Sequence, residues 1–312
     1  MNEISKKMEL KLVGRYHWIN FKRSFQRAFR DDPELINASR IKRFFLFRMI
    51  RKNAENYLCY LEGKKAGILS IRTNRGAEVF IYAVAVEPKF RKKGLGKFMM
   101  NFTEERAKKL KKKFIALAVL WDNDPAIELY KKYNYQALGE GHTFIKIAVD
   151  NIKQKKSYDL KLERITVYNK SIRKSFENIL LQGINEISGS LGVDYMKRNR
   201  VISYHPQIKK NLDKGSHRLF QIMQNSSVLG YLFERDNNKV KRVSVFSKLE
   251  TWNVDFIQDL GYSIKRYLIK SSEIKELNMR LPLHEANKLE ILETLNFLRD
   301  RSSEKLIMFK KI

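Results

Sequence analysis

Apolar and polar residues follow each other along the chain in blocks, and the spacing of the apolar positions changes from helical to strand-like after Asn53. Before that point the apolar residues recur about every three to four positions, which predicts two helices separated by the polar segment Asp31-Asp-Pro33. The residues that carry this spacing are Phe21, Phe25 and Phe29 in the first helix and Ile41, Phe44, Phe45 and Ile50 in the second.

From residue 57 onward, short apolar runs with β-branched and aromatic residues predict strands separated by glycine-bearing turns. The almost wholly apolar run 77–86 predicts a central strand covered on both faces. The elements predicted in order are strands at 57–61, 66–71 and 77–86, a helix at 97–112, a strand at 114–120, a helix at 124–133, and closing strands near 135 and at 143–149.

The second half of the chain repeats part of this plan. Residues 219–233 resemble the hairpin 58–72, with Gly230 standing 163 positions after Gly67, and residues 289–297 parallel 127–135 at a shift of 162. Two matches at nearly one shift predict an internal duplication. The expected organisation is a first domain at 1–150, a polar linker at 151–158 and a second domain at 159–312.

The loop between the central strand and the next helix has the features of a phosphate site. A helix that starts directly after a buried strand presents unpaired backbone N–H groups and a positive dipole end, and Gly94 and Gly96 permit close approach of a ligand. Four cations surround these glycines, namely Arg91, Lys92, Lys93 and Lys97. In isolation the same residues would favour an ordinary strand-to-helix turn.

Two longer motifs indicate the function of this loop. The run 84–99, VAVEPKFRKKGLGKFM, resembles the acetyl-CoA signature of the GNAT superfamily of N-acetyltransferases, and the run 123–135, NDPAIELYKKYNY, is similar to the second motif of that family. The resemblance covers about residues 55–149. Asn134-Tyr135 departs from the family's Gly-Phe pair, which puts a local turn in question.

The resemblance implies an α/β fold with two GNAT-like domains, each a mixed, mostly antiparallel twisted sheet flanked by helices. It also implies acetyl-CoA as cofactor, with its pantetheine arm along Val84, Ala85 and Val86 where the two central strands separate. By the same resemblance the pyrophosphate rests on the backbone of the loop, and the second motif lies near the pantetheine or acetyl end. The implied cofactor residues of the loop and second motif are Arg91, Lys92, Lys93, Gly94, Leu95, Gly96, Lys97, Asn123, Ala126 and Tyr130.

Acetyl transfer to an amine needs a base and benefits from an acid. The ammonium form of an acceptor, with a pKa of about 10.4, must lose a proton, and the departing thiolate can take a proton from a phenol. Tyr130 is the predicted acid. Glu78, the one carboxylate of the central strand, is the candidate base, with water-mediated deprotonation as the alternative. No metal is expected.

The second half has lost this site according to its sequence. The counterparts of Arg91, Gly94 and Gly96 are Val254, Ile257 and Asp259, and the counterpart of Tyr130 is Leu292. We expect a degenerate copy that completes the fold, shapes the acceptor cleft or binds a partner.

The composition adds a further candidate for the partner of this protein. The chain has 63 Lys and Arg against 34 Asp and Glu, a formal net charge of +29, so docking on RNA or the ribosome is an alternative to a small-molecule or peptide acceptor. A non-enzymatic CoA-binding regulator is a third interpretation. The chain has no long apolar run and no secretory leader pattern, which predicts a cytoplasmic protein without a membrane partner. The single cysteine, Cys59, is expected to be a buried hydrophobe.

Overall fold

A computed structural model of the chain describes residues 8–14, 17–29, 39–120, 123–153, 158–235, 240–247, 253–269, 274–282, 298–299 and 305–312. Contacts divide the chain into two compact units. Unit 1 comprises Met1–Ala118, Glu128–Gln136 and Met308–Ile312, and unit 2 comprises Val119–Ile127 and Ala137–Ile307. The predicted domain limits place residues 119–127 and 137–150 in the first domain and the last five residues in the second, whereas the contacts place them in unit 2 and unit 1, respectively.

Unit 1 is a mixed sheet with helices on both faces. Its sheet order is β1-β2-β3-β4-β5-β13, with antiparallel pairs from β1 to β4 and a parallel pair between β4 and β5. The strands are β1 (Met8–Leu12), β2 (Glu55–Leu61), β3 (Lys64–Arg72), β4 (Glu78–Val86), β5 (Phe114–Leu120) and β13 (Lys305–Lys311). The helices are α1 (Trp18–Ala28), α2 (Arg40–Asn53), α3 (Leu95–Lys109) and α4 (Asp124–Lys132).

The two faces of the unit 1 sheet carry different helices. On one face Phe21 and Phe25 of α1 pack with Leu58 and Ile68 of the sheet, and on the other Phe102 of α3 packs on Tyr57 at a ring distance of 4.9 Å. Leu58 and Tyr57 are successive strand residues, so their side chains point to opposite faces. The sheet is therefore covered on both sides, as the apolar run of β4 predicts.

Helix α2 buries only part of its apolar surface. Phe47 and Ile50 are buried, whereas Phe44 and Phe45 are 62% and 61% exposed. Phe45 points away from Phe47, because each residue turns the helix by about 100°.

Unit 2 has the same kind of architecture. Its sheet order is β6-β11-β10-β9-β8-β7, with β10 and β11 parallel and the other neighbouring strands antiparallel. The strands are β6 (Gln136–Ala148), β7 (Leu160–Ile165), β8 (His217–Gln224), β9 (Ser227–Arg235), β10 (Val240–Ser247), β11 (Glu276–Pro282) and the short β12 (Leu298–Arg299) beside β6. The helices are α5 (Lys170–Met196), α6 (Ile202–Asp213) and α7 (Val254–Leu268).

Two details of the hairpins recur at the shift seen in the sequence. The β2–β3 pair has a register irregularity between Cys59 and Tyr60, and the β8–β9 pair has one between Ile222 and Met223, 163 positions later. Gly67 and Gly230 both face a backbone carbonyl of the next strand, which a Cβ atom would meet. The hairpin repeat predicted from the sequence therefore has a structural counterpart. The second predicted repeat, 289–297, lies outside the described residues.

The close approach at Gly67 leads to a test of stability. A Cβ atom at this position would lie 2.5 Å from the Ala85 carbonyl oxygen, and backbone atoms cannot move aside cheaply. We expect Gly67→Ala to lower the free energy of unfolding by about 1–3 kcal/mol in chemical denaturation. Gly14→Ala is the matched control, since nothing lies within 4 Å of its Cβ position. Equal stability of the two variants would contradict the close contact.

Cys59 is buried, and burial raises the pKa of its thiol to about 12. The thiol is therefore protonated at neutral pH, as expected of a core residue. Among the helices of the described part of the chain, none is long and apolar enough to span a membrane.

Candidate functional site

The two central strands of unit 1 separate partway along their length. Their parallel pairing starts at Glu78 with Phe114 and ends at Ile81 with Leu117. On its other side β4 continues its pairing with β3 as far as Val86 opposite Gly67. Beyond Ile81 the edge of β4 that faces β5 is therefore open among the described residues, and this part includes Val84, Ala85 and Val86.

The loop after β4 ends in a helix start without a side-chain cap. Gly94 occupies the N-cap position with φ +80°, in the left-handed region that glycine adopts without strain. No side chain of the loop bonds to the first turn, and that turn contains no acidic residue. The first intrahelical bond runs from the Phe98 amide to the Gly94 carbonyl, so the amides of Leu95, Gly96 and Lys97 precede the regular bonding pattern.

The surroundings of this helix start are positive and exposed. Arg91, Lys92, Lys93 and Lys97 are all exposed to solvent. The Arg91 Nε donates to the Val86 carbonyl at 3.4 Å, and Lys93 lies 5.8 Å from the centre of the Phe90 ring. The amides, the helix dipole and these cations together favour an anion such as a phosphate.

The second motif places Tyr130 inside unit 1. Tyr130 lies on α4, is buried, and contacts the ring of Tyr135 at 5.9 Å. Burial raises the pKa of its phenol to about 12, so the hydroxyl carries its proton throughout the physiological range. Helix α4 packs close to the loop, because a Cβ on Gly96 would lie 3.4 Å from Leu129.

The limit between the two units falls within α4, so that Asn123 and Ala126 are counted in unit 2 and residues from Glu128 onward in unit 1. The Asn123 side-chain oxygen accepts a hydrogen bond from the Ala126 amide at 3.3 Å, and its backbone oxygen accepts from Ala126 and Ile127 at 3.0 Å each. Asn123 thus starts helix α4, as the second motif predicts. Its role toward a cofactor stays a prediction.

The departure from the family motif at Asn134-Tyr135 is accommodated locally. Asn134 adopts φ +61°, a left-handed conformation that asparagine tolerates better than most residues other than glycine. Asn134 therefore replaces glycine in this turn. The hydroxyl of Tyr135 is buried and has no hydrogen-bond partner in the described part of the structure.

Glu78 lies at the paired end of β4, several residues before the gap opens. Its side chain is 2% exposed and forms an ion pair with Arg72 at 2.6 Å. In unit 2 Lys241 stands 163 positions after Glu78 and forms a buried ion pair with Glu234 at 2.5 Å. The central strand thus carries the acidic partner of a buried ion pair in unit 1 and the basic partner in unit 2. An ion pair at the same strand position in both units favours a structural role for it. The assignment of Glu78 as base stays a prediction.

The equivalent helix start in unit 2 has a different chemistry. The Asn253 side chain caps α7 by accepting from the Phe256 amide at 2.9 Å, and Asp255 lies in the first turn. The buried carboxylate of Asp259 accepts from the Tyr158 amide at 2.7 Å. The helix start that would meet a phosphate in unit 2 is occupied by the chain's own polar groups, which agrees with the loss predicted from Val254, Ile257 and Asp259. Leu292 lies outside the described residues.

The sequence analysis did not single out Glu87, which directly follows β4 and contacts α1. Glu87 is buried, and both Nε and Nη2 of Arg27 bond to its Oε1 at 3.0 and 2.8 Å. A carboxylate next to Pro88 at the end of an apolar strand is the one signal for it in the sequence. Within the described residues, no cluster of three or more His, Cys, Asp or Glu side chains is arranged to hold a metal ion.

Comparison with known proteins agrees with the motifs. Residues 17–135 match the model of the Acetyltransferase (GNAT) family, so this part of the chain is similar to a GNAT domain. An uncharacterized N-acetyltransferase of Methanocaldococcus jannaschii is 28% identical over 99 residues, which are 30% of this chain and 44% of that protein. The match thus spans less than half of this curated relative.

Solved structures extend the likeness over the whole chain. The GCN5-related N-acetyltransferase of Sphaerobacter thermophilus matches 98% of this chain and 96% of its own, at 12% identity and a TM-score of 0.55. A tandem GNAT protein from the clavulanic acid biosynthesis pathway matches 97% and 98% at 11% identity and a TM-score of 0.44. The predicted fold class, two GNAT-like domains, is confirmed.

Proposed function

We propose that this chain, which is similar to GNAT acetyltransferases over residues 17–135, transfers an acetyl group from acetyl-CoA to a primary amine of a small molecule, peptide or protein. The amine would attack directly while both substrates are bound. The observation that carries this proposal is the uncapped start of α3 behind Gly94, beside the open edge of β4. Holding an amine and a thioester together accounts for up to about 7–11 kcal/mol of rate enhancement.

The residues present fit this cofactor. The loop amides from Lys92 to Lys97 and the adjacent cations would hold its pyrophosphate, and the open edge of β4 at Val84–Val86 would bond to its amide-containing arm. Bound acetyl-CoA supplies an acetyl group activated as a thioester. Unit 2, whose helix start is capped by Asn253, would not bind a second molecule.

Two proton transfers are required of the chain or of water. Tyr130 would donate the proton of its hydroxyl to the departing sulfur, because burial keeps the phenol protonated. For the amine, the ion pair of Glu78 with Arg72 and its position at the closed end of β4 favour water over Glu78 as the proton acceptor.

A specific surface favours RNA as a docking partner in the second candidate function. On α2 the exposed Phe44 and Phe45 lie among the exposed cations Arg48, Arg51 and Lys52. Exposed aromatic rings beside cations suit unpaired bases and phosphates. Binding of a single-stranded RNA that weakens steeply with salt would support this candidate, and equal binding at low and high salt would oppose it.

The reaction is tested by following thiol release from acetyl-CoA with a panel of small amines, peptides and ribosomal proteins. Release that depends on one acceptor, with an acetylated product of the expected mass, would support the proposed transfer. Micromolar binding of acetyl-CoA without release over the whole panel would favour a CoA-binding regulator instead. The absence of any binding would refute both.

A further inference from the structure

A cavity of about 740 Å³ lies in unit 1, beside the turn between β2 and β3. Its walls come from α1, from this turn and from the short 3-10 turn Pro88–Phe90 that follows β4. The polar side chains that line it are Arg27, Tyr60, Lys64, Lys65, Glu87 and Lys89. The volume is within the range of about 300–1,000 Å³ that is usual for small-ligand sites.

The charges of the cavity are unbalanced. Four cationic side chains line it against one carboxylate, that of Glu87. Lys64, Lys65 and Lys89 form no ion pair within the described part of the chain, whereas Arg27 is engaged by Glu87. Cations gathered around one concave space repel each other, and an anion placed among them relieves that repulsion.

Glu87 gives the cavity a fixed polar group. Its side chain is 5% exposed, and Arg27, which holds its Oε1, also donates to the buried Ser24 hydroxyl at 3.0 Å. Its Oε2 has no bond to another described residue. This oxygen is set in place before any ligand arrives and can accept a hydrogen bond from one.

The cavity adjoins the loop that we propose as the cofactor site but has its own lining. Arg27 of α1 and the turn residues Lys64 and Lys65 line it, and none of them belongs to the loop at 91–97. Lys89 of the cavity and Lys93 of the loop lie over the same Phe90 ring, at 5.0 and 5.8 Å from its centre. Titration in the presence of CoA is therefore needed to distinguish the two sites.

We propose that this cavity binds a small polyanion of phosphate or carboxylate type, with its anionic groups on Lys64, Lys65 and Lys89. Oε2 of Glu87 accepts a hydrogen bond from a donor group on the same ligand. This site is additional to acetyl transfer and does not depend on the proposed activity.

The test is calorimetric titration of two probes, inorganic pyrophosphate and citrate, into the full chain with and without saturating CoA. Saturating CoA occupies the loop at Gly94, so binding that persists in its presence belongs to another site. The probe that binds more tightly distinguishes the phosphate from the carboxylate source. The Lys64→Ala/Lys65→Ala double variant is expected to bind that probe about tenfold or more weakly.

The matched control is Lys108→Ala/Lys109→Ala, which removes the same charge from exposed positions at the end of α3. Its affinity for the probe is expected to stay within about twofold of that of the unmodified chain. An equal loss in both double variants would show that only the overall charge of the chain attracts the anion, and would overturn the proposal. Failure of both probes to bind at millimolar concentration would overturn it as well.

Discussion

A Gly94→Asp variant is expected to lose acetyl-CoA binding while keeping its fold, with the dissociation constant raised by about 100-fold or more, or about 2.7 kcal/mol. Gly94 is the N-cap residue of α3, so a carboxylate introduced there lies beside the amides that we assign to the pyrophosphate. Its negative charge would repel the phosphates of the cofactor. Calorimetric titration of acetyl-CoA measures the effect.

Unit 2 has polar and acidic groups at the matching helix start. Asn253 caps α7 with its side chain, and the first turn of that helix contains Asp255. Asn253 has an extended backbone with φ −137°, whereas an aspartate at position 94 would be strained at φ +80°. A control with the same kind of strain is therefore needed to separate a loss of stability from a loss of binding.

Gly215→Asp is the control for this variant. Gly215 has φ +65° and open space around its Cβ position, and it belongs to unit 2. The substitution introduces a similar backbone strain and the same charge away from the loop. It is expected to leave the affinity for acetyl-CoA unchanged. Equal affinities of Gly94→Asp and the unmodified chain would rule out the loop as the pyrophosphate site.

The sequence predicts the elements around this loop well because their signals are local. The apolar run of β4, the glycines after it and the amphipathic helix α3 follow each other within about thirty residues, and each acts through its neighbours in sequence. The predicted strand at 114–120 has the bounds of β5 for the same reason. The apolar spacing also predicts α2, but it does not tell which side is buried, because the apolar residues cover more than one side of the helix: Ile50 is buried and Phe44 and Phe45 are exposed.

Other features depend on residues that are distant in the sequence. Glu87 and Arg27 are 60 positions apart, and only the packing of α1 on the sheet brings them together. The strand β13 lies next to β5 in the sheet order, and Phe309 meets Phe114 at a ring distance of 6.3 Å, although nearly two hundred residues separate them. The periodicity and spacing of residues do not show which distant segments pair, so the sequence predicted neither the cavity nor the last strand of unit 1.

The ion pair of Glu78 shows a limit of assigning chemistry by residue type. A carboxylate on the central strand is what a general base would require, and the sequence alone offers no reason to reject it. The structure adds that Arg72 lies across the strand pair and that the β3–β4 register shifts between Ser70 and Ile71, close to this pair. These facts come from strand pairing, which the sequence did not fix.

Tyr130→Phe is expected to lower kcat by about 100-fold, within the range of about 10²–10⁴ for general acid catalysis, while KM for acetyl-CoA changes by less than about twofold. The substitution removes one oxygen from a buried side chain and leaves the ring that packs against Tyr135. Transfer is weakened without being abolished, because positioning of the two substrates remains. Steady-state rates of thiol release with a saturating amine measure the change.

Tyr135→Phe is the matched control, since it alters the neighbouring ring in the same way. The Tyr135 hydroxyl is buried without a partner among the described residues, so its removal is expected to raise the free energy of unfolding by about 1 kcal/mol and to leave kcat unchanged. Equal losses of kcat in both variants would show that packing of the tyrosine pair matters, and would refute Tyr130 as the acid.

The pH dependence separates a proton donor from a packing residue. Burial raises the pKa of the Tyr130 phenol to about 12, above its ordinary value of about 10. Its protonated form, the one that can donate, is therefore retained as pH rises through about 10 and is lost only near about 12. We expect kcat of the unmodified chain not to fall between about pH 8 and about pH 10, although an ordinary tyrosine would have lost half of its protons at about pH 10. A fall of kcat with a midpoint near 10, absent from Tyr130→Phe, would mean that the phenol is solvated during turnover and that burial does not keep its proton in place.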